Sequence, residues 1–327
     1  MAQPKILVTG AGGFIGAGLL PVLARKFGAV SAGFRRARPS ALPGVTAVAC
    51  DLDDSAQLRA ALAGADLVIH AAYGDEAAMP AQARRLLEAM STVGVKNLLA
   101  FSSIAIYGAR TGAVVETDGP VGKLSAYAQA KLDCEALYRD WAAQDEARRA
   151  LILRPGIVYG AGSPFWVEKM GARVASGGWG LFGRRGEGRA ALIHLDDLAA
   201  QVAAASALLL GGRDLPGFSA LNAVGPESPL WNDYFAALAQ AIGCGPLRTW
   251  SPAEIFVRQA LAAPAKILRK LGLPLGATAA LAPTPGEMDL FSLDATYSGA
   301  AAELLGFSPA IGMEEGLRRC GLASRLR

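Results

Sequence analysis

Tyr127 and Lys131 stand four residues apart in Tyr127-Ala128-Gln129-Ala130-Lys131, a spacing that puts a phenol and an amine on one helix face. A free tyrosine has a pKa of about 10 and exchanges protons poorly at neutral pH. A nearby ammonium favours the phenolate, so the pair predicts general acid/base work. Upstream, Ser102-Ser103-Ile104-Ala105-Ile106-Tyr107-Gly108 follows an apolar run suited to a strand. A hydroxyl at the carboxyl end of that strand can donate to a substrate carbonyl oxygen while the tyrosine supplies the proton. Together these residues predict proton transfer at an oxygen-bearing carbon.

A second group predicts a phosphate site. Lys5-Ile6-Leu7-Val8-Thr9-Gly10-Ala11-Gly12-Gly13-Phe14-Ile15-Gly16 runs from a strand into glycines. Gly10 allows a sharp turn, Gly13 lets backbone approach a pyrophosphate, and Gly16 lets the next helix pack on the strand. That helix, starting near Phe14, aims its N-terminal amides at the phosphate. The spacing is Gly-x-x-Gly-x-x-Gly, since Ile15 stands where the general dinucleotide fingerprint needs glycine. The plainer reading is a tight turn that holds no ligand; its place directly after an N-terminal strand argues against that.

These residues need elements to hold them. Strand signals fall at 6–8, 29–34, 46–50, 67–70, 97–101 and 150–153, separated by helical patterns such as 56–62 and 81–90. Such alternation predicts an α/β fold with a doubly wound parallel sheet, whose ligands sit at the carboxyl ends of the strands. Past Gly160 the alternation weakens, with glycines crowding 177–188 and prolines punctuating 226–285. The expected division is a nucleotide-binding domain of 1–160 plus about 191–225, and a smaller substrate lobe of about 161–190 plus 226–327. Ile255 to Leu281 reads as amphipathic helices over a pocket, with Arg258, Lys266, Arg269 and Lys270 interspersed; peripheral membrane contact is the lesser reading.

Composition narrows the function classes. Hydrophobic residues make up 52% of the 327 and charged ones 18%, which excludes a disordered chain. A net charge of +4 from scattered cations lacks the dense basic stripe of a nucleic-acid binder. Cys50, Cys134, Cys244 and Cys320 are far apart with two histidines in all, so neither a metal site nor a disulfide framework is expected. Met1 to Pro4 is too short for a signal peptide, so none is expected before the first strand, and the apolar run 198–210 is too short for a span. A cytoplasmic location is expected.

With these motifs in order the chain resembles the short-chain dehydrogenase/reductase superfamily, in its extended branch of NAD(P)-dependent epimerases, dehydratases and reductases. The resemblance rests on the glycine turn, Asp51-Leu52, His70-Ala71-Ala72, Ser103, Tyr127 with Lys131, Arg154-Pro155-Gly156-Ile157-Val158-Tyr159-Gly160, and Ile193-His194-Leu195-Asp196-Asp197-Leu198. It implies a Rossmann fold with a C-terminal substrate-binding lobe. Tyr127 would be the acid/base, and Lys131 would hold the nicotinamide ribose and lower the tyrosine pKa. Ser103, which keeps the spacing to Tyr107, would polarise the carbonyl in preference to Ser102. Gly10, Gly13, Phe14, Ile15 and Gly16 would hold the pyrophosphate, and Asp51, Leu52, Ala71 and Ala72 would lie along the adenosine side. Pro155, Ile157 and Val158 would border the nicotinamide. His194 and Asp197 would be structural. A homodimer through the helices near 81–90 and 127–141 is also implied, with Leu132, Ala136, Leu137 and Trp141 on its face.

Cofactor and substrate are read from departures. Gly33-Phe34-Arg35-Arg36 offers two arginines and no carboxylate before Asp51, which favours NADP over NAD, the alternative being a solvated basic turn. The family's Asn-x-x-Gly-Thr is replaced by Met79, Gln82 and Ala83. Ala190 stands where nucleotide-sugar enzymes often place an arginine, with Arg189 on the opposite strand face, and Gly156 stands where many have asparagine. The expected function is an NADP(H)-dependent oxidoreductase acting on a small carbonyl or alcohol that is not a nucleotide sugar. The alternatives are a nucleotide-sugar epimerase or dehydratase that regenerates its cofactor, and a dinucleotide-sensing module.

Overall fold

Ile6–Thr9 (β1) is buried at every position, as an apolar strand must be when helices cover both faces of its sheet. The structure is a computed structural model that describes residues 3–212, 215–270 and 281–322. After β1 come α1 (Phe14–Phe27), β2 (Val30–Phe34), β3 (Val45–Ala49), α2 (Ser55–Leu62) and β4 (Leu67–His70). Next are α3 (Met79–Val93), β5 (Asn97–Phe101), β6 (Gly112–Val114), α4 (Ala126–Ala143), β7 (Arg149–Pro155) and β8 (Ile157–Tyr159). The order continues with α5 (Met170–Ala175), β9 (Leu192–His194), α6 (Leu195–Leu210), β10 (Phe218–Ala223) and α7 (Trp231–Ala241). It closes with α8 (Pro252–Lys270), α9 (Pro285–Ser292), β11 (Ala295–Tyr297), α10 (Ala300–Leu304) and α11 (Met313–Arg319).

Seven strands form one parallel sheet in the order β3–β2–β1–β4–β5–β7–β10. The order reverses between β1 and β4, so the crevice for a ligand opens above their carboxyl ends. One apolar layer joins α1 and α6 to the sheet through Leu19, Leu20, Leu23, Leu198 and Val202. The other joins α2, α3 and α4 through Leu58, Leu86, Met90, Cys134 and Trp141. The doubly wound α/β expectation is what the chain forms.

A separate aromatic cluster gathers Trp179, Phe182, Trp231, Phe235 and Phe291. Its rings pack closely, with Trp231 and Phe291 centroids 4.8 Å apart. Phe291 fixes α9, and Arg173 reaches the same helix by a 2.8 Å ion pair to Glu287, the N3 residue of a Thr284 capping box. The expectation for Ile255 to Leu281 lies partly outside the described residues: 271–280 are not among them, nor are the side chains of Lys266, Arg269 and Lys270.

One expectation about α4 is corrected. Trp141 does not face outward; it is 3% exposed and donates through Nε1 to Ser91 Oγ at 3.0 Å, which ties α4 to α3. The outward side of the two helices carries Arg84, Glu88, Gln129, Asp133 and Asp140.

Candidate active site

Gly10 ends β1 with φ +69°, a left-handed conformation that favours glycine. A Cβ there would also lie 2.5 Å from Ala72 Cα, so the turn closes directly onto the chain leaving β4. Gly12 packs beneath the Ala37 carbonyl oxygen, which brings the loop carrying Arg35 and Arg36 beside the glycine turn. Both arginines are exposed, without an ion-pair partner among the described residues. Asp51 follows β3, its carboxylate accepting from Asp53 N at 3.1 Å, and Leu52 is buried in the α2 layer.

A cleft of about 1030 Å³ opens over the carboxyl ends of the strands. It brings together Phe14, Ile15, Ala71, Ala72, Ser103, Tyr127, Lys131, Pro155, Ile157 and Val158. Gly10, Gly13, Gly16, Arg35, Arg36, Asp51 and Leu52 do not line it; they form the turn and loops beyond its edge. Ser103 caps the short helical turn 104–107, its Oγ accepting from Ala105 N at 3.1 Å. The same hydroxyl hydrogen-bonds Tyr127. Ser102 Oγ is buried and has no hydrogen-bond partner among the described residues.

Ser125 caps α4 through Ala128 N and sets Tyr127 and Lys131 in its first two turns. Lys131 Nζ donates to the Phe101 carbonyl at 2.8 Å, at the end of β5. Burial holds the Lys131 ammonium below its ordinary pKa, opposed by Cys134 and Glu135. Burial likewise pushes Tyr127 up; the Ser103 hydrogen bond opposes this, and Tyr73 and Glu76 add to it. The expectation that Lys131 lowers the Tyr127 pKa is therefore corrected. Its ammonium is 5.9 Å from the Tyr127 ring centroid and is turned to the Phe101 carbonyl, so desolvation outweighs it.

The remaining expected residues have structural explanations. His194 Nδ1 accepts from Asp196 N at 3.2 Å as the cap of α6. Asp197 accepts from Ala310 N and Ile311 N at 3.1 and 2.8 Å, and neither His194 nor Asp197 lines the cleft. A Cβ on Gly156 would overlap the Ala191 carbonyl oxygen, so glycine is needed there by packing. Ala190 is fully buried away from the cleft, while Arg189 turns to Asp294 at 3.2 Å. Gln82 binds Asp53 across the surface at 3.0 Å, and Met79 and Ala83 are core residues.

Sequence reading missed the far wall, made of Phe165, Trp166, Asp289, Leu290, Leu293 and Tyr297. It also missed Tyr73, Glu76 and Lys123 at the cleft. The adjacent aromatics in Pro164-Phe165-Trp166, soon after the Arg154 to Gly160 motif, were the one available signal.

A nicotinamide dinucleotide fits this arrangement on two observations. The first turn of α1, whose Phe14 and Ile15 line the cleft, leaves backbone donors where a phosphate can approach, while Ala11 N and Gly13 N in the turn before it are bonded to the Gly33 and Gly10 carbonyls. At the other end a buried ammonium uses one of its three donors on Phe101, leaving others for ribose hydroxyls. Among the described residues no group of three or more His, Cys, Asp or Glu is arranged to hold a metal ion, and no helix is long and apolar enough to cross a membrane.

Residues 6–211 match the sequence profile described as Epimerase, the NAD dependent epimerase/dehydratase family. Over 190 residues the chain is 28% identical to N-acetyl-alpha-D-glucosaminyl-diphospho-ditrans,octacis-undecaprenol 4-epimerase of Escherichia coli O157:H7, covering 55% of this chain and 56% of that one. Over 180 residues it is 30% identical to UDP-glucose 4-epimerase of Azospirillum brasilense, covering 49% and 51%. The chain thus spans about half the length of the curated relatives it matches. Its fold is similar to that of UDP-glucuronic acid 4-epimerase from Bacillus cereus in complex with NAD, with TM-score 0.72, 20% identity and coverage of 98% and 99%.

Proposed function

The chain belongs to the NAD dependent epimerase/dehydratase family, and from that premise we propose that it inverts or dehydrates a carbinol centre of a nucleotide sugar. The observation that carries this reading is Tyr127, hydrogen-bonded to Ser103 and one helical turn from Lys131, facing a cleft whose other end is lined by Phe14 and Ile15 in the first turn of α1. Of the curated relatives, the Azospirillum brasilense enzyme is named for a nucleotide sugar and the Escherichia coli one for a sugar on undecaprenol diphosphate; what they jointly support is 4-epimerisation of a diphosphate-linked sugar.

A bound nicotinamide would supply a reversible acceptor for hydride. The chain's own residues govern the proton. As phenolate, Tyr127 Oη would take the proton from the carbinol oxygen as that carbon is oxidised and, as phenol, give it back when the carbonyl is reduced; burial alone favours the phenol, so the phenolate would have to be favoured by the positive charge of a bound oxidised nicotinamide. Ser103 donates to the same oxygen and fixes its distance from Tyr127. Lys131, pinned on Phe101, holds the ribose side of the site in register. Glycine spacing, Lys131 and the exposed Arg35 and Arg36 would hold the dinucleotide, with NADP favoured over NAD.

This reverses the expected order between net oxidoreduction and epimerisation. The sequence arguments against a nucleotide sugar weaken once placed: Gly156 answers to Ala191, Ala190 does not reach the cleft, and Lys123 gives the cleft a cation at its mouth. Net oxidoreduction of a neutral carbonyl is the second reading, favoured by the aromatic far wall of Phe165, Trp166 and Tyr297. Incubation with UDP-glucose and UDP-N-acetylglucosamine, resolved by chromatography, separates the two. A 4-epimer or dehydrated product without net change in NAD(P)H absorbance is the expected result. NADPH consumption on a carbonyl panel with no sugar product would replace this reading with the second.

A further inference from the structure

The segment 71–78, between β4 and α3, brings two side chains to the cleft that the proton chemistry leaves unused, Tyr73 and Glu76. Its start is tied to the sheet by Ala71 N, which donates to the Thr9 carbonyl at 3.2 Å. Its end is turned by Asp75, whose Oδ1 accepts from Ala77 N at 3.2 Å. The Tyr73 ring meets the Tyr127 ring edge-on, with centroids 5.9 Å apart. Tyr73 is nevertheless 67% exposed, so most of its surface is left for something else to cover. Glu76 is half-buried and has no hydrogen bond or ion pair among the described residues. Asp75 is committed to its own turn; Glu76 is committed to nothing in the fold.

Charge around the reacting position points the same way. The charged residues that line the cleft are Glu76, Lys123, Lys131 and Asp289. Lys131 is bonded to Phe101, and Lys123 is exposed on the stretch that leads into α4. Glu76 and Asp289 come from different walls, and neither is ion-paired among the described residues. Glu76 lies close enough to act on Tyr127: burial is the main cause that holds the phenol pKa up, and the Tyr73 phenol and the Glu76 carboxylate add to it. An ionised carboxylate offers acceptors and no donor, so a ligand that supplies a donor there is favoured and one that supplies an anion is repelled.

We infer that Tyr73 and Glu76 form a recognition subsite for the ring that bears the reacting carbinol. The Tyr73 ring covers the C–H face of that ring, and the Glu76 carboxylate accepts from a hydroxyl or amino group on it. The class this selects is a neutral or amino sugar. A uronic acid, which brings a carboxylate of its own between Glu76 and Asp289, is disfavoured. The inference rests on the nucleotide-sugar reading and narrows it.

The test is calorimetric titration of the full chain with UDP-glucose and UDP-glucuronate, which differ only in a hydroxymethyl against a carboxylate group. The chain is first saturated with its tighter-binding reduced cofactor, which cannot accept hydride, so binding is read without turnover. UDP-glucose should bind about tenfold or more tighter than UDP-glucuronate. Glu76→Gln keeps an acceptor oxygen and removes the charge, so that gap should shrink to about threefold or less. Tyr73→Ala should weaken both sugars alike, by about fivefold, since a ring face reads no charge. Equal or tighter binding of UDP-glucuronate by the parent, an unchanged gap in Glu76→Gln, or unchanged affinities in Tyr73→Ala would overturn the inference and leave the nucleotide-sugar reading standing. Binding of neither sugar by a parent chain that still binds its cofactor would overturn both.

Discussion

At the scale of single residues the site is a set of groups whose burial differs from that of their neighbours. Tyr127 is held protonated by desolvation, so removing its oxygen removes the proton carrier without disturbing the glycine turn. Tyr127→Phe should lower turnover by about 10²-fold or more with cofactor affinity nearly unchanged; equal turnover would take Tyr127 out of the reaction. Lys131→Ala should damage both, because the ammonium anchors α4 on Phe101 and, in the proposed role, would hold the ribose side of the cofactor. Arg35 and Arg36 bear on cofactor choice. Their loop touches the glycine turn at Gly12, and guanidinium groups there can bind a ribose phosphate by charge-assisted bonds. Calorimetric titration should give NADP(H) roughly a tenfold advantage over NAD(H), shrinking in Arg35→Ala and Arg36→Ala; equal affinities would make the pair a solvated turn. Ser103, Tyr127 and Lys131 were legible because each sits in a short local motif. Trp166, Asp289 and Tyr297 were not, since they come from segments far apart in sequence that meet only when the folded chain brings them to one cleft wall.

Among the elements, α4 is the part that sets the catalytic geometry. Its middle is fixed by a buried pair in which Arg154 Nε and Nη2 donate to Glu135 at 2.9 and 2.7 Å, while Arg154 Nη1 also reaches Tyr107 Oη at 2.9 Å. That network joins α4 to β7 and to the turn behind Ser103, so the two sides of the site share one support. Just past Arg154 the chain bends against Ala191, and glycine at 156 is the condition for that bend. Gly156→Ala should therefore destabilise the fold by about 1–3 kcal/mol in urea unfolding, because the backbone carbonyl opposite cannot yield as a side chain could. An unchanged midpoint would show that β8 shifts freely. The strands of the sheet were readable from their apolar runs, most closely β4 and β5, whose bounds agree with the sequence reading. The role of Gly156 was not, because a close approach to a residue 35 positions away leaves no local pattern.

For the molecule as a whole, acid should be the weak side. Burial pushes His70 down to about 3, and burial also lowers His194. An unfolded histidine titrates near about 6.5, so the unfolded chain takes up protons first. The stability His70 holds above that value is then lost as pH falls from about 6.5 towards about 3, at up to about 1.4 kcal/mol per unit, and His194 adds a loss of the same sign. Urea midpoints should fall between about pH 7 and 5, and His70→Gln should flatten that limb; a level parent curve would contradict the assignment. The pairing through α3 and α4 that the family resemblance implies would be polar, given Arg84, Glu88, Asp133 and Asp140 on that side, and light scattering should find it weakened by salt. A mass that salt does not change would place any pairing elsewhere. The strand order carries one more consequence, for synthesis. From β4 onward each new parallel strand joins the edge left by its predecessor: β4 on β1, β5 on β4, β7 on β5 and β10 on β7. A chain emerging from the ribosome can thus extend its sheet in one direction without reopening earlier pairings. At every stage before residue 218 it shows a bare, apolar edge, so a nascent or truncated chain is adhesive in proportion to the strands it still lacks.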